Sequence, residues 1–234
     1  MLRALLTLLL LTIAADSRGE SLEMLVFNNP GLFDISAQGE ISGPGARLLQ
    51  RIESLSGVEL RLREMPVARV VQTLHQQPGR CAAGMARTPE REALLHWAGP
   101  VADSAMVVYG RLNETRVVKT PDDLRGAIIA AQRQSVPAQW LVAQGIQLQE
   151  ARDPQTALRM LEARRVDYWL VNELLAQHTF RSLGSVPVRA LHSFGRIQGY
   201  LACHIDTPPA TMNKLQRALD QLRRSGELAP FGVR

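Results

Sequence analysis

The segment Gly84-Met85-Ala86-Arg87-Thr88-Pro89-Glu90-Arg91 holds the residues best suited to binding a charged solute. A hydroxyl residue before a proline is a strong local helix start. The side-chain oxygen accepts from an early N–H, and proline lacks the N–H that would otherwise be orphaned. The sequence therefore predicts a strand end, a turn and a helix capped by Thr88, with Arg91 in its first turn. A cation sits poorly at that end, which the aligned peptide dipoles make positive. An anion resolves the conflict, because a guanidinium and unpartnered amides both suit a carboxylate. The competing reading is a solvated arginine paired with Glu90 or Glu92.

Other reactive residue types are sparse. Cys81 and Cys203 fit no zinc, redox or haem spacing. In an exported protein an even pair suggests a disulfide, with two buried free thiols as the alternative. A bond between them would close a loop worth about 4–5 kcal/mol in the chain-entropy model. His75, His96, His178, His192 and His204 share no ligand spacing, so no metal or other cofactor is expected. No nucleophile–base pair stands out in the sequence.

The elements that must position these residues alternate between strand and helix. Strand patterns cover residues 22–27, 58–62 and 81–86. A helix opened by Gly43-Pro44-Gly45 runs to about Leu55, and a second starts at Pro66 with Val67, Val70, Val71 and Leu74 on one side. A second cycle follows: strands at 105–109, 127–131, 146–149 and 166–171, a Thr-capped turn at 120–124, and helices at 135–144 and 153–163. The last strand, 199–204, precedes a helix over 208–224. This is the pattern of an α/β protein with mostly parallel sheets flanked by helices.

Met1-Leu2-Arg3 and the apolar run 4–15 have the form of a secretory signal peptide, too short for a membrane anchor. Residues 1–17 are set aside on that ground, with cleavage after Ala14, Ala15 or Ser17. No cysteine stands at the boundary, so the expected product is an exported protein and not a lipoprotein. The net charge of +5 comes from arginines scattered along helices, with no basic run interleaved with aromatics. Nucleic acid is therefore not an expected partner.

Several landmarks, in order, resemble the family 3 extracellular solute-binding proteins, the substrate receptors of polar amino-acid ABC importers. They are Gly43-Pro44-Gly45-Ala46-Arg47-Leu48-Leu49, residues 83–91, Thr120 to Gly126, Arg165-Val166-Asp167 with Val171-Asn172-Glu173, and Ser225-Gly226-Glu227-Leu228. The resemblance implies a two-lobed type II periplasmic binding fold joined by two crossing strands. Lobe one would be residues 20–109 plus 196–234 and lobe two 110–195, crossing near Tyr109-Gly110 and 195–199. It also puts the strand 199–204 beside the one carrying Cys81, which suits a Cys81–Cys203 bridge within lobe one.

The same resemblance implies a site. Arg91 aligns with the arginine that meets a ligand carboxylate, helped by amides at Ser135 and Val136, where the family has a Gly-Thr-Thr turn and this chain has Gln134-Ser135-Val136. The ammonium end differs. The family's aspartate aligns with Asn172 and its serine with Ala86, and Glu173 would point to the opposite face of a strand. Thr88 is a substitute acceptor. Asn29, Phe33 and Arg69 stand where the family places its pocket aromatics, Phe33 to stack on a ligand or fill the core, Arg69 to bind a second acidic group or face solvent. The implied function is a monomeric, non-enzymatic receptor that closes on a small carboxylate or amino acid and delivers it to ABC permease subunits in the inner membrane. Two alternatives remain open: a sensory or partner-binding relative that has lost its ligand, and a dehydratase-like enzyme on the same fold, for which Glu173 or Asp103 would be the general acid in the cleft.

Overall fold

One eight-stranded sheet, beside a small two-stranded one, carries both cycles of strand and helix in the computed structural model, which describes residues 20–27, 29, 32–184 and 187–234. The expected signal peptide lies outside the described residues, as do Asn28, Pro30 and Gly31 of the first loop. The first cycle contains β1 (Ser21–Val26), β2 (Asp34–Ile35), β3 (Ile41–Ser42), α1 (Pro44–Ser56), β4 (Glu59–Glu64), α2 (Val67–Gln76), β5 (Arg80–Ala86) and α3 (Pro89–Glu92). The long β6 (Leu95–Arg111) leads into β7 (Ile128–Gln132), α4 (Val136–Ala143), β8 (Gln147–Ala151), α5 (Pro154–Glu162), β9 (Tyr168–Asn172) and α6 (Glu173–Leu183). The chain returns through β10 (Val188–His204) to α7 (Pro209–Arg224).

The strand order is β4-β1-β5-β10-β6-β9-β7-β8. β4, β1 and β5 pair in parallel, as do β9, β7 and β8. Between these triples run β6 and β10, antiparallel to each other and 17 residues long each. Sequence patterning expects only 105–109 and 199–204 of these two strands, because neither alternates cleanly. The register shifts three times along their ladder, and Pro100 lies within one of the shifts, between Ala98 and Ala102. A bulge is where a strand interior tolerates proline.

Helices cover both faces of each triple, so the inner strands β1, β5, β7 and β9 are largely apolar, while the edge strands β4 and β8 keep exposed polar residues. In the first half, Leu49 and Ile52 of α1 and Leu215 and Leu219 of α7 pack on Met24 and Leu201. Val70 and Leu74 of α2 pack on Leu25, Ala82 and Met85 of the opposite face. In the second half, Leu141 of α4 meets Ile129 and Leu170, while Leu158 and Leu161 of α5 meet Ala130 and Trp169. Each such side chain contributes roughly 1.5–3 kcal/mol of burial.

The crossing strands change core midway. Ala98 and Val101 belong to the first core; Met106 and Val108, with Val107 and Tyr109, belong to the cores of the second half. Tyr109, expected at the end of lobe one, packs in the second half, with ring centroids 5.5 Å from Trp169 and 5.4 Å from Phe180. Cys81 and Cys203 are disulfide-bonded, directly opposite each other on β5 and β10, and fully buried.

α6 corrects the expectation that the chain runs on as strand through Glu173. Asn172 is the N-cap, its side-chain oxygen accepting from the Leu174 N–H at 3.0 Å. Asparagine at that position, followed by glutamate in the first turn, is a legible helix start.

Candidate functional site

A cleft of about 160 Å³ opens between the two halves. One wall comes from the first half: Asn29, Phe33, the end of β5 through Ala86, and Arg91. The other comes from the turn after β7, at Gln132, Ser135 and Val136, and from the β9–α6 junction at Asn172. β6 and β10 contribute Val101, Ala102, Ile197 and Gly199 between them, and Phe231 of the C-terminal 3-10 turn completes the lining.

Arg91 reaches this cleft by a route the sequence does not suggest. α3 is a single turn of four residues, and Thr88 stands at its N-cap without a capping side-chain hydrogen bond. The Thr88 side chain instead hydrogen-bonds the Glu90 carboxylate, which holds that carboxyl below its ordinary range. The Arg91 guanidinium donates to the Ala86 carbonyl at 3.2 Å and is half-buried. Burial lowers its pKa, and the field of Glu90 opposes that shift. Neither of the expected acids forms an ion pair with it: Glu92 is bound by Arg87, whose guanidinium also lies 5.8 Å from the centre of the Trp97 ring. Among the described residues, no carboxylate lies within ion-pair distance of Arg91.

Opposite it stands the N-terminus of α4. Ser135 caps this helix, its hydroxyl accepting from the Ala138 N–H at 3.3 Å. The Ser135 N–H is already committed to the Gln132 carbonyl at 3.1 Å. The Val136 N–H, first of the helix, has no acceptor within it. Gln134 holds the turn at φ 60°. That is the left-handed conformation glycine adopts freely, and a side chain there costs about 1 kcal/mol.

Asn172 lines the cleft, but its carbonyl oxygen already serves as the α6 cap. Ser104 of β6 shares that Leu174 N–H at 2.9 Å. Phe33 is 5% exposed and serves both readings, packed in the first core and forming cleft wall. Its ring explains Gly45: a Cβ there would fall 2.5 Å from the Phe33 ring. Asn29 is 5% exposed, and its side-chain oxygen is buried without a partner among the described residues.

Two expected residues lie outside the lining. Arg69 is exposed on α2, and Thr88 borders a neighbouring groove with Arg87, Arg196 and Tyr200. The acids weighed for catalysis lie outside it too. Asp103 accepts from Arg196 at 2.8 Å and from Gln198 at 3.1 Å, on the crossing strands. Among the described residues, no group of three His, Cys, Asp or Glu could hold a metal, and no helix is long and apolar enough to cross a membrane. Phe231 is absent from the sequence expectations, which treat residues 230–232 as an irregular tail. The signal was Gly232, whose Cβ would fall 2.0 Å from the Asp103 carbonyl oxygen, so the tail is pressed onto β6.

The fold recurs in solved structures. A mutant of ArgBP from T. maritima is 21% identical with a TM-score of 0.78, covering 91% of this chain and 93% of its own. A histidine kinase sensor domain with similarity to periplasmic binding proteins gives 17% and 0.79, over 90% and 94%. The GluR0 ligand-binding core from Nostoc punctiforme, in complex with (L)-glutamate, gives 19% and 0.77, over 90% and 96%. No curated protein matches the sequence. These likenesses establish the type II periplasmic binding fold. Residues 28–231 match the family described as bacterial extracellular solute-binding proteins, family 3. Two parallel triples, two crossing strands, a cleft between the halves and this match over nearly the whole chain lead to one assignment: the chain belongs to the bacterial extracellular solute-binding proteins, family 3.

Proposed function

We propose that this protein is a periplasmic receptor, exported by its N-terminal signal peptide, that captures a small carboxylate-bearing solute between its lobes for ABC-type import. The observation that carries the reading is Arg91: a half-buried guanidinium in the cleft wall, bonded to a carbonyl and to no carboxylate among the described residues. A ligand carboxylate would take its remaining donors and the Val136 N–H across the cleft, so contact with both lobes favours the closed state. Asn29, Phe33, Ala86, Ser135 and Asn172 line the same space, and Thr88 borders the neighbouring groove. Arg69 has no part in this reading. Binding is the whole activity, the receptor acts as a monomer, and the closed form is what permease subunits engage.

Thermal-shift measurements on the purified protein against amino acids, di-acids and simple carboxylates test this reading. A ligand at about 100 times its Kd stabilises by about 2.7 kcal/mol. The expected result is a shift with carboxylates that disappears in Arg91→Ala. A shift that survives the substitution, or none with any carboxylate, rejects it. In the second case the sensory or partner-binding reading takes its place, since a kinase sensor domain shares the fold.

A further inference from the structure

We infer that the cleft selects monocarboxylic acids with an apolar body and no α-ammonium group, and discriminates against the zwitterionic amino acids of the same shape. The inference rests on the carboxylate-receptor reading above and deepens it.

The charge on the walls is one-sided. Arg91 is the single ionisable side chain lining the cleft, and no aspartate or glutamate lines it among the described residues. Of the nearby acids, Glu92 is bound by Arg87 and Asp103 by Arg196 and Gln198, and Glu90 and Glu173 lie outside the lining. A ligand carboxylate therefore meets a counter-charge, and a ligand ammonium meets none. An unpaired charge moved out of water into such a site loses far more hydration than neutral acceptors restore.

The neutral acceptors are also few. The Asn172 oxygen is engaged by the Leu174 N–H, and the Ala86 carbonyl by Arg91 itself. The Gln132 side-chain oxygen and Asn29 Oδ1, the latter buried and without a partner among the described residues, remain. Both are uncharged, and a ligand hydroxyl or a water satisfies them without any counter-charge.

Apart from Arg91, Asn29, Gln132, Ser135 and Asn172, the lining side chains are apolar. Phe27, Phe33, Leu48, Val101, Ile197 and Phe231 come from separate elements and surround the space next to Arg91. Its volume of about 160 Å³ is close to that of the apolar cavities of ~150 Å³ that admit benzene. A phenyl or branched-alkyl body fits that size, with the carboxylate carried at one end.

Isothermal titration on the purified protein separates the possibilities. The probes are 3-phenylpropanoate and 4-methylpentanoate, against phenylalanine and leucine, which add only the α-ammonium, and against arginine and glutamate. The expected result is that at least one of the two acids binds ten times or more tighter than every amino acid tested. That binding should fall at least tenfold in Arg91→Gln. Asn172→Asp keeps the helix cap and puts a carboxylate into the cleft. It should raise affinity for leucine or phenylalanine at least tenfold while weakening the plain acids. Should an amino acid bind as tightly as the acids, with the same dependence on Arg91, the substrate class is overturned and the carboxylate receptor stands. If no probe binds, or Arg91→Gln changes nothing, both are overturned. Far-ultraviolet circular dichroism and melting of each variant establish that it is folded, and Asn172→Asp supplies an independent arm if Arg91→Gln does not fold.

Discussion

Tyr109 shows how much a single side chain reports about its surroundings. Its phenol is buried against Trp169 and Phe180, and burial, aided by the charge of Glu173, pushes its pKa up to about 12 from 10.0. The folded state thus favours the neutral phenol more than the unfolded chain does. That contribution to stability is complete below about pH 10 and is lost as pH rises through about 12. Urea denaturation across this window should show stability falling with pH in the wild type and a flatter profile in Tyr109→Phe. Arg91 belongs to the same scale. Its residue type and neighbours are plain in the sequence, and the partner it lacks is not. Glu92 lies on the far side of Arg91 in the chain and is captured by Arg87, a pairing that also needs Trp97 and Tyr200 beneath the Arg87 guanidinium.

At the scale of elements, the cleft is held by one helix cap and one close approach. Asn172 closes the N-terminus of α6 through its side-chain oxygen. Asn172→Ala should cost about 1 kcal/mol of stability and Asn172→Asp much less, read from chemical unfolding of the two variants. The C-terminal 3-10 turn brings Phe231 to the cleft, and Gly232 beside it has φ 82° and no room for a Cβ against Asp103. Gly232→Ala should destabilise by about 1–3 kcal/mol and weaken binding of any ligand that touches Phe231. Gly232→Ala melting like the wild type, with unchanged affinity, would show that the tail does not need this packing. Most of the regular elements are legible in the sequence because capping and periodicity are local: the Asp153-Pro154 start of α5, with the Asp153 side chain accepting from Thr156, is one example. β6 and β10 are not, since each serves two cores in turn and carries bulges where it changes over.

For the molecule as a whole, the disulfide joins the strand that ends at the Arg91 turn to a strand that crosses between the halves. It spans 122 residues of chain, so in the chain-entropy model its loss costs about 4–5 kcal/mol. The variant with both Cys81→Ala and Cys203→Ala should melt well below the wild type. Both sulfurs are fully buried, so thiol labelling after reductant should stay low under native conditions and rise once denaturant opens the first core. Rapid labelling without denaturant would show that this core opens far more readily than its packing implies. The two parallel triples each have their own cores, and among the described residues only β6 and β10 run between them in the sheet.

The sequence by itself determined what is local: the alternation of strands and helices, the Thr-Pro and Asp-Pro starts, the two cysteines, and the arginine placed just after β5. Its order of landmarks was enough for the resemblance that the match over residues 28–231 bears out. Only the tertiary structure decided that Arg91 faces a cleft without a carboxylate partner among the described residues, that the Asn172 oxygen accepts from its own helix, and that Phe231 returns from the far end of the chain to the same space. The physical reason is range. Caps and periodicities are satisfied within a few residues. Whether a charge or an acceptor is free depends on groups brought together from distant parts of the chain.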